Sequence, residues 1–136
     1  MPKFGNKSKK NLETCHPDLQ RLFNEVIKHY ECTVTCGYRG EEDQNKAFDE
    51  GRSKVKYPDG RHNKSPSLAI DVYPYPVNFE NFERMDHFAG FVMGLAKSMD
   101  IDLMWGRDWD TQWFKGDKNS TTFKDYPHFE IEDATK

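Results

Sequence analysis

The repeated change between helical and strand periodicity most restricts what this chain can fold into. Apolar residues from Leu19 to Tyr30 recur at i, i+3 and i+4 after Pro17, which predicts a helix with one apolar face. The sequence predicts helices at 17–30, 41–48 and 81–99 and strands at 31–38, 68–73, 101–105 and 126–131. This order of elements predicts an α+β domain in which helices flank a small antiparallel sheet.

Two of these elements have a predicted buried face. On strand 68–73, alternate residues point to opposite sides, so Asp71 and Tyr73 share the face opposite Ile70. The long helix is expected to bury the apolar stripe formed by Phe82, Met85, Ala89, Val92, Leu95, Ala96 and Met99. Residues 1–15 are expected to be a loosely ordered start. Residues 52–67 are predicted to form a long loop, which is uncommon in a compact domain unless it has a function.

The composition limits the class of protein. A length of 136 residues predicts a single domain, residues 1–136, and its ten Phe, six Tyr and three Trp are enough for one core. A net charge of −3 is too balanced to suggest nucleic-acid binding. No apolar run approaches the roughly 18 residues of a spanning helix, so no membrane insertion is expected. The basic start lacks an apolar h-region, so we predict no signal peptide and folding in a cytosol. We also expect a monomer.

The three cysteines are Cys15, Cys32 and Cys36. An odd number favours reduced thiols over a disulfide framework. Cys32 and Cys36 have a spacing that metal ligands also use. They lie in the alternating stretch CTVTC, however, which favours buried or half-buried thiols of a strand.

Two separated motifs contain the residues that point to chemistry. His62 and Asp71 lie in RHNKSPSLAID, and Asp125 and His128 lie in KDYPHFE. Two histidines and a carboxylate are the ligands of a catalytic zinc site with one open position. Asp125, three residues before the last histidine, is placed for a general base. Glu130 is two residues beyond His128 on a predicted strand, so it shares a face with that histidine and could orient it.

Each candidate also has a plainer interpretation. A chain with five His and 23 acidic residues can produce this pattern by chance, and a loop histidine is often simply solvated. Arg39 could pair with the acidic residues that follow it, Glu41, Glu42 and Asp43, or it could bind a substrate carboxylate as a bidentate donor. Gln44 is read as a solvated helix residue, with a polar contact to the peptide as the alternative. Trp105 and Trp109 are read as core or rim residues, with capping of a cleft as the alternative.

Taken together, these motifs resemble the zinc D-Ala-D-Ala carboxypeptidase and L-alanyl-D-glutamate peptidase family, which includes VanY-like enzymes and phage endolysins. The matching pieces are CGYRGEEDQ at 36–44, HNKSPSLAIDVYPYP at 62–76, LMWGRDWD at 103–110 and DYPHFE at 125–130. The resemblance implies a small α+β zinc peptidase domain related to the Hedgehog signalling domain. It implies that His62, Asp71 and His128 bind Zn2+, that Asp125 is the catalytic base, and that Arg39 contacts the substrate.

The loop before Asp71 departs from the family pattern. Gly60 and Ser67 stand where the family has Ser and Gly, and two extra residues separate His62 from Asp71. An Asp rather than a Glu at position 125 is closer to the endolysin branch.

The implied function is a zinc-dependent peptidase of the peptidoglycan stem peptide, most simply an L-alanyl-D-glutamate endopeptidase. As a phage endolysin it would stay in the host cytoplasm and need another protein to reach the wall. A D-alanyl-D-alanine carboxypeptidase and a non-catalytic zinc or cell-wall-binding module on the same fold remain alternatives.

Overall fold

The computed structural model describes residues 2–108 and 125–132. The helices are α1 Asn6–Glu13, α2 Pro17–Val26, α3 Glu41–Asp49 and α4 Phe82–Ser98, with a 3-10 turn at Arg61–Asn63. The strands are β1 Cys32–Cys36, β2 Ala69–Pro74, β3 Leu103–Trp105 and β4 His128–Ile131. The strands form one antiparallel sheet in the order β1-β2-β4-β3, which confirms the predicted α+β class.

The core lies between one face of the sheet and the helices α2 and α4. Ile70 and Val72 of β2 point into it, as the alternation in this strand predicts. Phe129 of β4 lies at its centre, with its ring 5.7 Å from that of Phe23 and 6.3 Å from that of Phe88. Such edge-on aromatic contacts add to the free energy gained by burying large apolar rings. The opposite face of β2 and β4 is therefore left for polar residues.

The buried stripe of α4 differs from the prediction at its first residue. Met85, Ala89, Val92 and Ala96 are buried, but Phe82 is 48% exposed. Phe82 is the first residue of α4, where its ring packs against Tyr126 at a centroid distance of 4.7 Å rather than entering the core. Leu95 and Met99 are only partly buried against the core. Phe88, three residues after Met85 and therefore on the same helical face, supplies the bulk instead.

The prediction of a loose start at residues 1–15 is wrong, because α1 packs on the outer edge of β1. Leu12 is buried in the core. The Ser8 hydroxyl accepts a hydrogen bond from Val34 N at 3.1 Å, and Asn11 Nδ2 donates one to Val34 O at 2.9 Å. These bonds satisfy backbone groups that an edge strand would otherwise leave open to another chain. The many lysines of this segment concealed the helix, since they lie on its solvent side.

The thiols of Cys32 and Cys36 agree with the prediction from strand alternation. Cys15 and Cys32 are buried free thiols, and Cys36 is half-buried. Burial raises the pKa of both Cys15 and Cys32 to about 12, which makes them poor nucleophiles at neutral pH. No helix in the described ranges is both long and apolar enough to cross a membrane.

Replacing Leu12 by alanine tests whether α1 belongs to the folded core. We expect Leu12→Ala to lower the free energy of unfolding by about 2–4 kcal/mol, because it leaves a cavity among packed side chains. Urea unfolding followed by tryptophan fluorescence measures this change. The control is Glu13→Ala, an exposed neighbour on the same helix, which should change the value by less than about 0.5 kcal/mol. Equal effects of the two variants would mean that α1 contributes nothing to the core.

Candidate metal centre and active-site groove

The pairing of β2 with β4 brings two of the predicted ligands together. Asp71 and His128 are directly opposite residues in this antiparallel pair, so their side chains leave the same face of the sheet. On its other side, Asp71 faces Cys36 of β1, next to an irregularity in that strand. Cys36, Asp71 and His128 therefore form a row across the sheet. This row lies on the face opposite Ile70 and Phe129.

His62 reaches this row from the 3-10 turn in the long loop. The carbonyl of His62 accepts a hydrogen bond from Arg39 N at 2.8 Å, which fixes the turn against the end of β1. Its Nε2 lies 3.2 Å from Asp71 Oδ1, and His128 Nδ1 lies 3.3 Å from the same oxygen. One carboxylate oxygen thus meets two buried imidazoles. The structure brings together all three residues that the sequence predicts as ligands.

The second nitrogen of each imidazole faces a separate acceptor. His62 Nδ1 lies 2.7 Å from the carbonyl oxygen of Gly37, and His128 Nε2 lies 2.8 Å from Glu130 Oε1. Each acceptor favours a proton on the nitrogen that it faces, which leaves the other nitrogen of the neutral ring directed at Asp71. Metal-binding histidines show this arrangement, in which an outer partner fixes the tautomer. Glu130 therefore lies beside the imidazole of His128, as its place two residues further along the predicted strand indicated.

Gly106 holds Asp125 and His128 next to each other. Gly106 N donates to His128 O at 2.7 Å, and Asp125 N donates to Gly106 O at 2.9 Å. A Cβ atom at position 106 would collide with the Asp125 carbonyl, so this approach requires glycine. Asp125 Oδ2 comes to 3.8 Å from His128 Nδ1. Burial, reinforced by the negative charge of Asp71, raises the pKa of Asp125 to about 6.

The charges of the cluster depend on Asp71. Burial alone would lower the pKa of both histidines, but the charge of Asp71 and its hydrogen bonds outweigh burial. The result is a pKa of about 10 for His62 and about 9 for His128. Burial acts to raise the pKa of Asp71, yet the two imidazoles hold it well below its ordinary value. Positive charge next to Asp71 therefore stabilises the cluster. Protons on the two imidazoles supply this charge, and a divalent cation could take their place.

The donor atoms are close enough for a metal ion. Two groups of three ligand atoms lie within 4.8 Å of one another: Cys36, His62 and Asp71, and Asp71, Asp125 and His128. Asp71 belongs to both groups. The ligand set predicted from sequence takes one imidazole from each. Nitrogen, carboxylate and thiolate donors together suit a borderline transition-metal ion such as zinc better than magnesium or calcium.

Arg39 lies at this site with a partner that the sequence did not suggest. Its Nη2 lies 3.4 Å from Asp71 Oδ2, so its ion-pair partner is Asp71 and not one of the acidic residues 41–43. Its Nη1 donates to Gln44 Oε1 at 3.2 Å. The Arg39 side chain is only 13% exposed, and it borders the same groove as the cluster. Contact with a substrate carboxylate remains a prediction for this residue.

Gln44 and Asn63 form a buried polar network that the sequence interpretation missed. The prediction of a solvated Gln44 is wrong, since the residue is 1% exposed. Its Nε2 donates to Ser53 Oγ at 2.9 Å and to Val55 O at 2.7 Å, which ties the long loop to α3. Asn63 Nδ2 donates to Arg39 O at 2.9 Å. The position of Gln44 three residues before the buried Ala47 was the available signal, because the two share a helical face.

The cluster lies in a groove with a volume of about 1210 Å³. Its lining includes Arg39 just before α3, Arg52 in the loop after α3 and Arg61 of the 3-10 turn. It also includes the aromatic residues Tyr73, Phe79, Phe82 and Tyr126. Trp105 is a core residue that donates from Nε1 to Tyr126 O at 2.8 Å, as its plainer interpretation predicts. Trp109 lies outside the described residues.

Comparisons with known proteins identify the family of this chain. The model of the family described as phage L-alanyl-D-glutamate peptidase matches residues 1–132. The chain belongs to this family. The resemblance seen in the motifs is thereby confirmed, and the protein is a peptidase that acts on peptidoglycan.

A solved structure shows the same fold for this peptidase. The L-Ala D-Glu endopeptidase ChiX of Serratia marcescens superposes with a TM-score of 0.74 at 26% sequence identity. The match covers 96% of this chain and 90% of that one. No curated protein matches the sequence at a significant level.

The charge balance of the cluster predicts how the metal-free peptidase responds to pH. A histidine whose pKa is raised by folding stabilises the protein fully below its unfolded pKa, and this contribution disappears as the pH rises through the folded pKa. The pKa rises from 6.5 to about 10 for His62 and to about 9 for His128. We therefore expect the urea midpoint of chelator-treated protein to fall as the pH rises from about 6.5 to about 8.5.

Cys15 and Cys32 add a separate loss near the upper end of this interval, because an unfolded thiol has a pKa of about 8.5 and burial raises it in the folded protein. The histidine contribution is therefore the part of the decline that a histidine variant removes. His62→Asn should flatten the decline, because it removes one of the two titrating imidazoles. The surface variant His29→Asn serves as the control and should keep the full decline. A wild-type midpoint that stays level across the interval would contradict this charge balance.

Proposed function

We propose that this peptidase is a phage endolysin that hydrolyses the L-alanyl-D-glutamate bond of the stem peptide with a zinc ion. His62, Asp71 and His128 would hold the ion. One observation carries the proposal: two buried imidazoles converge on a single oxygen of Asp71 in a groove large enough for a peptide. A structural histidine pair has no need of such convergence, whereas a three-ligand zinc site does.

Zinc, when bound, supplies a Lewis acid that activates water and polarises a peptide carbonyl. The protein contributes the fixed donor set. Gly37 and Glu130 hold the two imidazoles by their outer nitrogens, and Arg39 holds the second oxygen of Asp71. These outer contacts restrict the three donor side chains, which lowers the entropy that binding an ion would cost.

Asp125 is proposed as the general base. With a pKa of about 6 it is mostly ionised at neutral pH, yet it remains basic enough to take a proton from water. Water adds to the carbonyl carbon of L-alanine, and Asp125 accepts the proton that the water loses. Asp125 then delivers this proton to the nitrogen of D-glutamate as the carbon–nitrogen bond breaks. The products are a free L-alanine carboxylate and a free D-glutamate amine.

Arg39 is proposed to bind a carboxylate of the substrate. A guanidinium carries five N–H donors, and the bonds to Asp71 and Gln44 use only part of them. The buried amide of Gln44 keeps the guanidinium at the groove instead of in solvent. A planar bidentate donor in this position suits the carboxylate of D-glutamate.

Digestion of purified peptidoglycan tests the reaction. We expect the protein to release fragments with new L-alanine carboxyl and D-glutamate amino termini, identified by mass spectrometry. A chelator should abolish the release, and added Zn2+ should restore it, because the ligand set has no other source of Lewis acidity. Release of D-alanine alone would instead assign the carboxypeptidase activity. No release under any metal supplement would leave the wall-binding alternative.

Asp125→Asn separates the roles of base and ligand. We expect this variant to lose about 10²- to 10⁴-fold in kcat while it still binds one equivalent of zinc, since only proton transfer is removed. Metal content by mass spectrometry and kcat on the same preparation are the measurements. Asp102→Asn, an exposed aspartate, is the matched control and should keep both values. If Asp125→Asn also lost the metal, Asp125 would belong to the ligand set with Asp71 and His128 instead.

A further inference from the structure

Large apolar side chains are exposed in one short segment beside the groove. Residues 75–82 connect β2 to the first turn of α4. More than a third of the surface of four of its large apolar side chains is exposed, namely Tyr75, Val77, Phe79 and Phe82. Exposed apolar side chains that cluster in this way mark binding surfaces more often than scattered ones do.

Two of these side chains form a wall of the groove. Phe79 and Phe82 line it although they are 63% and 48% exposed. Each is held by a second aromatic ring: Phe79 meets Tyr73 edge-on at 5.0 Å, and Phe82 tilts over Tyr126 at 4.7 Å. We call these four residues, Tyr73, Phe79, Phe82 and Tyr126, the aromatic wall. Pairing restricts their motion, so the wall presents ring faces at low entropic cost to a ligand.

The aromatic wall begins next to the reacting groups. Tyr73 is two residues beyond Asp71 in β2, so both side chains leave the same face of the sheet. Tyr126 directly follows Asp125. A substrate whose scissile bond reaches these two aspartates must therefore place its adjacent group on or near this wall.

The two walls of the groove differ in charge. Between residues 73 and 85, the residues that line the groove are Tyr73, Phe79, Phe82 and Met85, and all of them are uncharged. From α3 and the loop after it, the lining residues are Lys46, Arg52 and Lys54 together with Asp43 and Asp59, which leaves this wall a net positive charge. The substrate has the same asymmetry. Its D-glutamate side bears carboxylates, whereas its L-alanine side is joined through a lactyl ether to a neutral N-acetylated amino sugar.

We infer that the aromatic wall is a saccharide subsite, which binds the amino sugar attached to the L-alanine of the stem peptide. This inference rests on the proposed function. Only one amino acid separates the scissile bond from the sugar linkage, a span of about 3.5 Å, so the sugar lies within reach of the wall when the L-alanine side faces it. The C–H face of a sugar ring packs favourably on the electron-rich face of an aromatic ring. The anionic remainder of the stem peptide then lies along the cationic wall.

A pair of substrates that differ only in the sugar tests this subsite. One is the muramyl-linked stem peptide, and the other is the same peptide with an acetyl group on its L-alanine. For the wild-type enzyme loaded with zinc, we expect kcat/KM to be about tenfold higher with the sugar. The double variant Phe79→Ala/Phe82→Ala should bring the ratio of the two values to within about twofold of one. Phe79→Tyr/Phe82→Tyr should restore the preference, because it keeps the ring faces.

Phe48→Ala provides the matched control. Phe48 is also an exposed phenylalanine, 37% accessible, but it is not among the groove-lining residues, so this variant should keep the wild-type ratio. If the alanine double variant slows both substrates equally, the rings have a structural role and the subsite is overturned. If the wild type cleaves both substrates equally well, the proposed function stands and this inference alone fails. If it cleaves neither, the proposed function fails and the inference fails with it.

Discussion

The antiparallel pairing of β2 with β4 is the constraint on which the rest of the site depends. It places Asp71 opposite His128 and, by the same register, Ile70 opposite Phe129. A slip of one residue would exchange these faces, sending the carboxylate into the core and the aromatic ring into the groove. The packing of Phe129 between Phe23 and Phe88 therefore does more than stabilise the fold. It also fixes which way the site faces.

A buried carboxylate between two imidazoles is costly to desolvate, and the surrounding structure compensates for this cost through paired contacts. Each polar group at the centre has an outer partner: Gly37 for His62, Glu130 for His128, and Arg39 for Asp71. Arg39 is in turn bonded to Gln44, which also holds the long loop. The network thus joins the reactive centre to the charged wall of the groove, and a change in the loop would be felt at Asp71.

The sequence predicted the fold class, the order of the elements and the residues that meet at the centre. Strand alternation placed Asp71 and His128 correctly, because a period of two leaves only two faces to choose between. It could not show that Arg39 turns back to Asp71, since that depends on how a loop with no periodicity folds. The burial of Gln44 was missed although its helical spacing from Ala47 indicated it. The helix α1 was missed for a related reason. Its contacts to Val34 come from Ser8 and Asn11, polar residues that composition assigns to solvent.

His128 and Asp71 are 57 residues apart in the chain, yet their side chains meet. An ion bound to both would act as a removable cross-link between the middle strand of the fold and its last described strand. Binding to the folded state alone slows opening and shifts the equilibrium away from unfolded chains. Proteases attack mainly such opened chains. The lifetime of this protein in the presence of proteases would then depend on the local supply of metal as well as on its sequence.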